Sequence, residues 1–560
     1  MTQGRPPDGR EPMLRRSSRQ QESAAQDIPT QRFTRSGIPL KAHYGAGDAA
    51  TGGAGEAPGE FPYTRGRKPG SQSAGGWIQR ELSGEGGPAE SNAQIKYLLG
   101  KGQTGIDVIG DSPTMAMLDP DHPLAIHAVG TQGVSLARKQ DYLDLFAGIP
   151  LDRISVSNSV PALFSMTGLY LAAGAQGVSP DRLRGSVLQP PLFAEDCGYA
   201  MHMPHALQAR IAADVMQFCA EAMPRFHACI EDTYFFSESG LNAVEEMALG
   251  FVEIRCLTRI LITRGVNVDR FAPRIAILVN CGMDLFEEIA KIRATRRLFA
   301  RMMKEEFGAR DPRSLSVVVS SHTSGLTLTA QQPVNNVVRG AIQGMALALA
   351  GVQAMEISTF DEGYRTPSRE AHLVALRTQQ ILDLETGVTR VADPLGGSYY
   401  VEALTDELER RIRTLVSEIE AAGDPLELAD RGYFRKFFTD AMERHQRGIA
   451  LGKDQVVGVN VHCIPEDEDT MLRDMAERKI APARWRAEQI AAHKRERGIE
   501  PVRAALRRVK ADAAAPGTNI VPAVLEATDA DATMGEIAGA LRLACGKAWD
   551  PFGMVEPLIR

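Results

Sequence analysis

Short apolar runs that stop abruptly at polar residues recur along this chain between residues 104 and 360. Two of them frame the stretch from Ser314 to Glu362: SLSVVVSSH ends at His322, and AMEISTF is followed by Asp361 and Glu362. Between them, VVRGAIQGMALALAG is apolar enough to form a buried helix. The order strand, polar end, helix, strand is the repeat of a parallel α/β fold, in which chemistry gathers at the carboxyl ends of the strands.

The same pattern predicts parallel strands separated by amphipathic helices. The predicted strands are 104–111, 154–160, 185–190, 227–234, 274–280, 314–322, 354–360 and, with a weaker pattern, 389–394. Long helices are predicted within 241–262 and 284–307, and the second has an apolar face opposite a face of Lys and Arg. This is the size and pattern of a (β/α)8 TIM barrel. An open doubly wound sheet is the alternative, although no convincing Gly-rich turn follows the first predicted strand.

The two ends of the chain differ from this α/β region. Residues 1–59 are rich in Gly, Pro, Ser, Gln and Arg and have few apolar anchors, which predicts a disordered or extended N-terminal arm. The arm either lies over another subunit or is untethered. Residues 60–400 hold the predicted barrel, and residues 401–560 predict a helical linker and C-terminal cap.

Composition and charge narrow the class of protein. The 560 residues carry a formal net charge of −7 with acids and bases interspersed, so no basic surface favours nucleic acid or an anionic membrane as a partner. No apolar run approaches the roughly 20 residues that span a bilayer, and the N-terminus lacks the apolar segment of a signal peptide. The 7 cysteines lack CxxC spacing, which favours reduced thiols in the cytoplasm. We therefore expect a cytoplasmic protein.

The predicted barrel collects polar side chains at the carboxyl ends of its strands, within reach of one substrate. They are Asp107, Asp111, Asn158, Gln189, Tyr234, Asn280, His322, Glu356, Ser358, Asp361, Glu362 and Asp393. His322 could be a general acid or a hydrogen-bond donor to a carbonyl or cofactor, or a half-buried histidine that bonds a loop carbonyl. No HxH, HExxH, Cys/His cluster or GxSxG elbow occurs, so we expect a barrel enzyme without a metal site.

Several segments together resemble the large chain of methylmalonyl-CoA mutase and its relatives. They are FPYTRG at 61–66, GIPLDRISVS at 148–157, VDRFAPRIA at 268–276, FGARDPRSLS at 307–316, TSGLTLT at 323–329 and NNVVRGAIQGMALALAG at 335–351, then TFDEG, RTQQIL, VADPLGGSYYVEALT, VVGVN and ATMGEIAGALR. The similarity runs in order from about Phe61 to about Ala544. The resemblance implies a barrel threaded by the pantetheine arm of an acyl-CoA, and adenosylcobalamin as the source of a radical that rearranges the acyl skeleton.

The family's cobalamin-binding motif, DxHxxG, does not occur in this sequence. The resemblance therefore implies the large subunit of a two-component enzyme, similar to isobutyryl-CoA and 2-hydroxyisobutyryl-CoA mutases. Its partner would be a separate small cobalamin-binding subunit, which would bind most of the cofactor. A heteromer is expected, with a heterotetramer as one arrangement.

The resemblance also locates the substrate-binding positions, several of which are altered here. Leu82 stands at the family's tyrosine, Gly198 at its carboxylate-binding arginine and Phe235 at the histidine that hydrogen-bonds the thioester carbonyl. The positions predicted to contact substrate are Arg80, Leu82, Ser186, Gln189, Gly198, Phe235 and Arg274. A carboxylate in a dry barrel needs a cation or strong donors. We therefore do not expect methylmalonyl-CoA as the substrate.

The positions near the cofactor are better retained. Glu362 matches a glutamate near the adenosyl ribose, Gly325 matches a glycine near the corrin, and His322 stands at a family glutamine. The predicted catalytic residues are Tyr234, His322 and Glu362. The predicted cofactor-binding residues are Asp107, Gly110, His322, Gly325, Ser358, Glu362 and Gly363.

These observations predict the large subunit of an adenosylcobalamin-dependent mutase that acts on an atypical acyl-CoA or another acyl thioester. The alternative is a catalytically silent paralogue that binds a partner or regulates a true mutase, and the loss of histidine, arginine and tyrosine together favours it. A cobalamin-independent barrel lyase has no motif in its support.

Overall fold

The structure is a computed structural model that describes residues 32–48, 56–70, 76–197, 202–476 and 481–560. Its strands are β1 Arg32–Phe33, β2 Pro39–Leu40, β3 Ile78–Arg80, β4 Leu82–Ser83, β5 Gly105–Ile109, β6 Ser155–Ser159, β7 Arg184–Leu188, β8 Phe226–Asp232, β9 Ile275–Cys281, β10 Val318–Thr323 and β11 Ala354–Glu356.

The α-helices fall into a barrel set and a C-terminal set. The barrel set is α1 Pro88–Gly100, α2 Ser112–Met115, α3 Lys139–Leu145, α4 Ala162–Ala175, α5 His205–Ala222, α6 Thr233–Glu238, α7 Ala243–Thr263, α8 Val268–Phe271, α9 Leu285–Arg301, α10 Pro312–Leu315, α11 Asn335–Ala350 and α12 Arg369–Leu384. The C-terminal set is α13 Tyr399–Ala422, α14 Pro425–Asp430, α15 Arg435–Ala450, α16 Thr470–Ala476, α17 Trp485–Glu496, α18 Ile499–Ala514, α19 Val521–Asp529 and α20 Met534–Ala544.

Strands β3 to β11 form one parallel sheet that closes into a barrel. The sheet contains 9 segments, but β3 and β4 are two parts of one barrel strand separated by Glu81. Arg80 in β3 pairs with Glu356 of β11, and Leu82 in β4 pairs with Asp107 of β5, so this strand closes the circle. Counted as one, they give the eight strands of a (β/α)8 barrel. The predicted barrel is confirmed, and the open doubly wound sheet is wrong.

Most of the predicted strands are confirmed, and the differences concern the first barrel strand and the last predicted strand in chain order. The predicted strands from 104–111 to 354–360 correspond to β5 through β11. The strand predicted at 389–394 is wrong, because these residues form turns and bends. The apolar pattern also misses the first barrel strand, because both Arg80 and Glu81 within it are charged although they are buried. Glu81 accepts a hydrogen bond from Gln379 of α12, 2.9 Å away, on the outside of the barrel.

Helix α9 confirms the long helix predicted within 284–307, but both of its faces are buried. Its polar face carries Lys291, Arg293, Arg296 and Arg297, each at most 1% exposed. Arg293 Nη2 lies 2.6 Å from Glu402 Oε1 of α13, and Lys291 Nζ lies 2.8 Å from Glu246 Oε2 of α7. Arg296 instead donates to backbone carbonyls, one of them that of Gly351 at 3.0 Å. The Lys and Arg face of α9 is thus buried in the protein interior, where an unpaired charge would be strongly destabilising.

The segment 32–48 of the predicted arm packs on its own chain. The Arg35 N–H donates to Asp284 Oδ2 at 3.2 Å, Ser36 Oγ donates to Glu287 Oε1 at 2.6 Å, and Ile38 is buried. Residues 1–31 and 49–55 of the predicted arm lie outside the described residues. The domain boundaries at 59/60 and 400/401 stay predictions.

The C-terminal helices pack against the barrel through buried polar contacts. Arg486 Nη2 of α17 lies 2.6 Å from Asp141 Oδ2 of α3, and both side chains are about 1% exposed. All 7 cysteines are free thiols, of which Cys463 and Cys545 are exposed. Within the described part of the chain, none of the helices has both the length and the apolar composition needed to cross a bilayer.

Candidate functional site

A cavity of about 730 Å³ opens at the amino ends of the barrel strands and runs inward along the axis. Ser155 and Arg184, the first residues of β6 and β7, belong to its outer wall. Deeper in the barrel it is lined by Ser186, Ile230 and Ser320. The barrel is therefore not filled by side chains along its whole axis, as the interior of a TIM barrel usually is.

Cationic side chains cluster where this cavity opens to solvent. They are Arg65, Arg67, Lys68, Arg184 and Arg225. Lys68, Arg184 and Arg225 are exposed. Arg65 is already paired with Asp393, at 2.8 Å, whereas within the described residues Arg67 Nε donates just to the backbone carbonyl of Ser316. A group of this kind favours phosphates.

Arg80 of β3 lies at the inner part of the cavity wall. Its Nη2 donates to Ser155 Oγ at 2.9 Å, and its buried Nε has no hydrogen-bond partner among the described residues. A Cβ on Gly105 would come within 3.1 Å of Arg80 Nε, so glycine leaves room for the guanidinium. Burial lowers the pKa of Arg80, and the carboxylates of Asp107 and Glu356 act against this shift.

Beyond Arg80, His322 of β10 lies between two carboxylates. Its Nε2 is 3.3 Å from Asp107 Oδ2, in hydrogen-bond geometry, and 3.3 Å from Glu356 Oε2. Strand pairing produces this cluster, because His322 is in register with Glu356, and Glu356 with Arg80. The exposed fractions are only 7% for His322, 2% for Asp107 and 4% for Glu356. We call these three residues the acid–histidine cluster.

The charges of the acid–histidine cluster depend on one another. Burial alone would lower the pKa of His322, but Glu356 and Asp107 outweigh it and raise the pKa to about 9. Burial raises the pKa of Glu356, and the charge of His322 opposes that rise. We expect His322 to hold its proton at neutral pH, because two buried acids surround it.

Glu356 Oε2 is in ion-pair contact with His322 but makes no hydrogen bond with any of the described residues, although it is buried. Asp107, His322 and Glu356 also offer ligand atoms within 4.8 Å of one another, a geometry that sequence motifs did not reveal. The cluster can therefore accept a hydrogen-bond donor from a substrate, or hold a divalent cation.

At the carboxyl ends of the strands, α6 places Tyr234 and Phe235 beside the cluster. The Tyr234 and His322 rings meet edge to face with centroids 5.0 Å apart, and Tyr234 packs similarly on Phe235 at 5.3 Å. Burial raises the pKa of Tyr234, and the charges of Glu238 and Glu362 add to this. Tyr234 therefore stays a neutral phenol that can donate a hydrogen bond.

Glu238, at the end of α6, forms a fixed carboxylate at the same edge. Its three donors are Asn280 Nδ2 at 2.6 Å, Ser324 Oγ at 2.7 Å and the Leu326 N–H at 2.8 Å. Gly325 lies directly against it: a Cβ there would be 2.9 Å from Glu238 Oε2 and 3.6 Å from Tyr234 Oη. Glycine thus lets the Glu238 carboxylate pack directly against the backbone at this edge, and we call Tyr234, Glu238, Gly325 and Glu362 the rim.

Glu362 completes the rim on the loop after β11. Burial raises the pKa of Glu362 to about 7, and the charge of Glu238 adds to this rise. The Thr359 N–H, which donates to Glu362 Oε2 at 3.1 Å, opposes it. Glu362 is therefore poised to be protonated or ionised near neutral pH.

The other predicted cofactor-binding residues take different positions. Gly363 is exposed next to Glu362, and a Cβ atom added to Gly363 would lie 3.2 Å from the Cβ of Leu328. Ser358 Oγ donates to the Thr323 carbonyl at 2.8 Å, and Gly110 forms a buried bridge with Val134. Gly363 thus lies beside the rim, whereas Ser358 and Gly110 serve backbone pairing.

The predicted substrate-binding residues are only partly brought together. Arg80 and Ser186 line the axial cavity, and Phe235 lies at the rim. Leu82 is half-buried and in register with Asp107. These placements agree with contact to a ligand in the barrel, and the individual roles stay predictions.

Three predicted substrate contacts are not placed in the cavity. Gln189 points into the surrounding shell, where its Nε2 donates to the Ala228 carbonyl at 2.7 Å. Arg274 is half-buried just before β9, outside the cavity lining, and Arg67 is one of the charges that lower its pKa after burial. Gly198 lies outside the described residues.

Two carboxylates of the site are missing from the predicted contacts. Glu356 alternates with Ala354 along β11 and is therefore on the same side of the sheet, which period-two reasoning could have indicated. Glu238 follows Tyr234 by four residues, one helical turn, and so shares its helix face. The cationic residues at the opening of the cavity could not be recognised from the sequence, because they come from segments that are far apart along the chain.

Comparison with known proteins places the chain in a family. The sequence profile of the methylmalonyl-CoA mutase family matches residues 33–547. The large subunit of 2-hydroxyisobutanoyl-CoA mutase from Aquincola tertiaricarbonis is 36% identical over 436 residues, which cover 76% of this chain and 77% of that protein.

Two other relatives are named methylmalonyl-CoA mutase. The Rhizobium meliloti (strain 1021) protein is 34% identical over 516 residues, 92% of this chain and 72% of the relative. The Escherichia coli (strain K12) protein is 34% identical over 445 residues, 79% of this chain and 62% of the relative. These relatives are acyl-CoA mutases, which are isomerases.

Proposed function

This chain belongs to the methylmalonyl-CoA mutase family, and on that premise we propose that it is the large, acyl-CoA-binding subunit of an adenosylcobalamin-dependent mutase. The reaction is a carbon-skeleton rearrangement of an acyl thioester. The proposal includes a separate small cobalamin-binding subunit, in a heteromer such as a heterotetramer, and a cytoplasmic location. The name of the Aquincola tertiaricarbonis relative, a large subunit, supports the two-component arrangement.

The axial cavity is the observation that carries this proposal. A cavity of about 730 Å³ leads inward from a cationic mouth to Arg80 and Ser320, and the acid–histidine cluster lies two residues further along the strands. The nucleotide phosphates of CoA fit the cations of the mouth, and the narrow pantetheine arm fits the passage between Ser186 and Ser320. The thioester then lies near Arg80, at the inner end of the cavity. The same mouth supports CoA as the acyl carrier.

The inner end of the cavity argues against an acyl group with a free carboxylate. Asp107 and Glu356 are already two buried carboxylates there. Arg80 and protonated His322 already balance these two carboxylates, so a third carboxylate would have no cation left to pair with, and Leu82 and Phe235 provide no donor where the family has tyrosine and histidine. An uncharged acyl group avoids this cost, so we propose a substrate other than methylmalonyl-CoA.

The rim fits the cofactor that the family uses, adenosylcobalamin. A Cβ on Gly325 would crowd Glu238 and Tyr234, so glycine is what allows these two side chains to lie close to the backbone there. Glu238 and Glu362 are placed to accept hydrogen bonds from ribose hydroxyls, and Gly325 and Gly363 to lie against the corrin. When bound, adenosylcobalamin supplies the adenosyl radical that abstracts a hydrogen atom from the substrate.

The chain's own residues bind and orient the acyl thioester. Tyr234 is a buried neutral phenol, and His322 is a protonated imidazole 5.0 Å from it between ring centroids. Both can donate a hydrogen bond to the thioester carbonyl, in place of the histidine that Phe235 replaces. Loss of one such donor typically costs on the order of 3 kcal/mol in the transition state. Phe235 excludes water from the reacting carbons.

The test is a reconstitution with the full chain, a small cobalamin-binding chain from the same organism and adenosylcobalamin. A panel of acyl-CoAs is added, and cob(II)alamin absorbance and rearranged product are followed. Tyr234→Phe is expected to lower kcat by at least about tenfold. Tyr433→Phe is the matched control and leaves kcat unchanged, because Tyr433 is exposed in the turn between α14 and α15.

A folded complex that forms no cob(II)alamin with any acyl-CoA of the panel would refute the mutase proposal. It would favour a silent paralogue that binds a partner subunit. Turnover of methylmalonyl-CoA at a rate above that of uncharged acyl-CoAs would refute the argument from Asp107 and Glu356.

A further inference from the structure

We propose that residues 455–476, which we call the strap, form together with the start of α11 the surface on which the small cobalamin-binding subunit docks. The inference rests on the proposed function, because it locates on this chain the binding surface for the partner that the proposal requires. The strap follows α15, includes α16 and lies against the amino end of α11.

Hydrogen bonds hold the strap against the barrel. Arg339 Nη2 of α11 donates to the Val457 carbonyl at 2.8 Å, and Gln332 Nε2 donates to the His462 carbonyl at 3.1 Å. The Gln332 N–H also donates to the buried carboxylate of Asp469 at 2.6 Å. These contacts lie at both ends of the strap's loop, so the strap and the start of α11 form one continuous surface.

The strap also contacts the loops that carry the rim. Tyr364 Oη, two residues after Glu362, donates to the Leu472 carbonyl of α16 at 3.2 Å. Gln332, which bonds the other end of the strap, belongs to the loop that begins with Gly325. A separate chain that brings a cofactor to Gly325 and Glu362 therefore reaches the barrel beside the strap.

Exposed apolar side chains are concentrated on this surface. Val334, Val338 and Ile342 follow one another at intervals of four residues, so they share one face of α11. The apolar patch, as we define it, is 38% to 59% exposed at each of its members, which are Val334, Val338, Val457, Val459, Ile464 and Met471. A group of exposed apolar side chains next to polar ones is typical of a protein–protein interaction surface.

The charge of the strap favours a different protein over a second copy of this chain. The strap contains five acidic residues and one arginine, and Asp467 and Glu468 are exposed between Ile464 and Met471. A symmetric pairing of two copies would bring these like charges into the same interface, which is unfavourable. A partner with an apolar centre and a cationic border complements the patch. Its position beside the rim identifies that partner as the cobalamin-binding subunit.

Two exposed cysteines allow the docking surface to be tested in the unaltered chain. Cys463 lies on the strap, whereas Cys545 follows α20. The full-length chain is alkylated with iodoacetamide, alone and with the small cobalamin-binding chain of the same organism loaded with adenosylcobalamin. Mass spectrometry follows each thiol. We expect docking to slow the alkylation of Cys463 at least about fivefold, because an interface excludes solvent, and to leave that of Cys545 unchanged.

A substitution in the apolar patch provides the second measurement. Val338→Glu places a charge in the apolar centre, so isothermal titration calorimetry should show a Kd for the small chain at least about tenfold higher. Ile262→Glu is the matched control, because Ile262 is exposed near the end of α7, where the chain returns to the amino ends of the strands. It should leave this Kd unchanged. Both variants should bind acyl-CoA like the wild type.

Unchanged alkylation of Cys463 in a complex that forms would overturn the inference, as would wild-type affinity in Val338→Glu. Both results would leave the proposed function intact. Self-association of the chain that slows alkylation of Cys463 and is abolished in Val338→Glu would also overturn the inference, because a second copy would then occupy the patch. If the wild-type chain binds no small cobalamin-binding chain, the inference and the two-component function fail together.

Discussion

His322 Nε2 lies 3.3 Å from Glu356 Oε2, and the two residues are in register on neighbouring strands of the barrel. Strand pairing, rather than a flexible loop, therefore sets the separation of the imidazole and the carboxylate. Rigid strands hold functional groups more precisely than loops do. The charge state of this pair controls the inner end of the cavity.

The protein is expected to lose stability in alkaline solution because of His322. Its pKa rises from 6.5 to about 9 on folding, so its contribution is complete below about pH 6.5 and is lost as the pH rises through about 9. The free energy of unfolding should fall by on the order of 2 to 3 kcal/mol over this range, as measured by urea denaturation. In His322→Gln this decrease should be much smaller.

His205→Gln serves as the control, because His205 lies away from the barrel interior and contacts Asp430. It should keep the alkaline decrease of the wild type. An equally steep decrease in His322→Gln would show that His322 is not protonated in the folded protein.

Gly325→Ala is expected to impair cofactor binding while acyl-CoA binding is retained. The new methyl group would lie 2.9 Å from Glu238 Oε2, and Glu238 cannot easily move because three donors hold it. The concentration of adenosylcobalamin for half-maximal activity should rise by about tenfold or more, because the clash would displace either Glu238 or the backbone of the rim.

Gly174→Ala is the control for this substitution. Gly174 lies within α4 with no atom within 4 Å of an added Cβ. Alanine should raise the free energy of unfolding by up to about 1 kcal/mol through helix propensity. Unchanged cofactor dependence in Gly325→Ala would remove Gly325 from the cofactor site.

Arg67→Ala and Arg225→Ala are expected to raise the KM for acyl-CoA by roughly tenfold each, because both side chains line the cationic mouth. Salt should weaken binding of the wild type more than that of the variants. The KM for the corresponding acyl-pantetheine, which has no nucleotide phosphates, should hardly change. Arg153→Ala, whose side chain is 81% exposed and is not part of the cavity lining, is the control. Equal losses with both thioesters would argue against phosphate recognition.

Arg293→Ala is expected to lower the free energy of unfolding by about 3 to 5 kcal/mol. It would leave the buried carboxylates of Asp393 and Glu402 without their shared cation. Arg410→Ala, which breaks an exposed pair with Glu407, should cost less than about 1 kcal/mol. Chemical denaturation at neutral pH compares the two. Similar losses would mean that Arg293 is compensated by nearby charges.

The fold could be predicted from the sequence because most barrel strands are apolar runs with polar ends. β8, β9 and β11 follow this rule, whereas β6, with the sequence SVSNS, has a single apolar residue. The first barrel strand does not follow it, because Arg80 lines the cavity and Glu81 accepts a hydrogen bond from Gln379 outside the barrel. At 389–394 the pattern is weak, and the residues form turns that bring Asp393 to Arg65 and Arg293.

The candidate site was less accessible to sequence reasoning, because its contacts depend on register. The polar end of a strand is visible in the sequence, but the pairing of His322 with Glu356 is not. Gln189 is likewise a polar residue at the end of a strand, yet its amide donates to the Ala228 carbonyl and does not line the cavity. The sequence alone does not distinguish Gln189 from Glu356, because only the geometry of the barrel sets the direction of each side chain.

The axial cavity opens at the amino ends of the strands, whereas the rim lies at their carboxyl ends. Two ligands that arrive from opposite poles of a barrel do not obstruct each other's path. Under the proposed function, we therefore expect the acyl thioester and the cobalamin-binding subunit to bind in either order, which would give random rather than ordered steady-state kinetics.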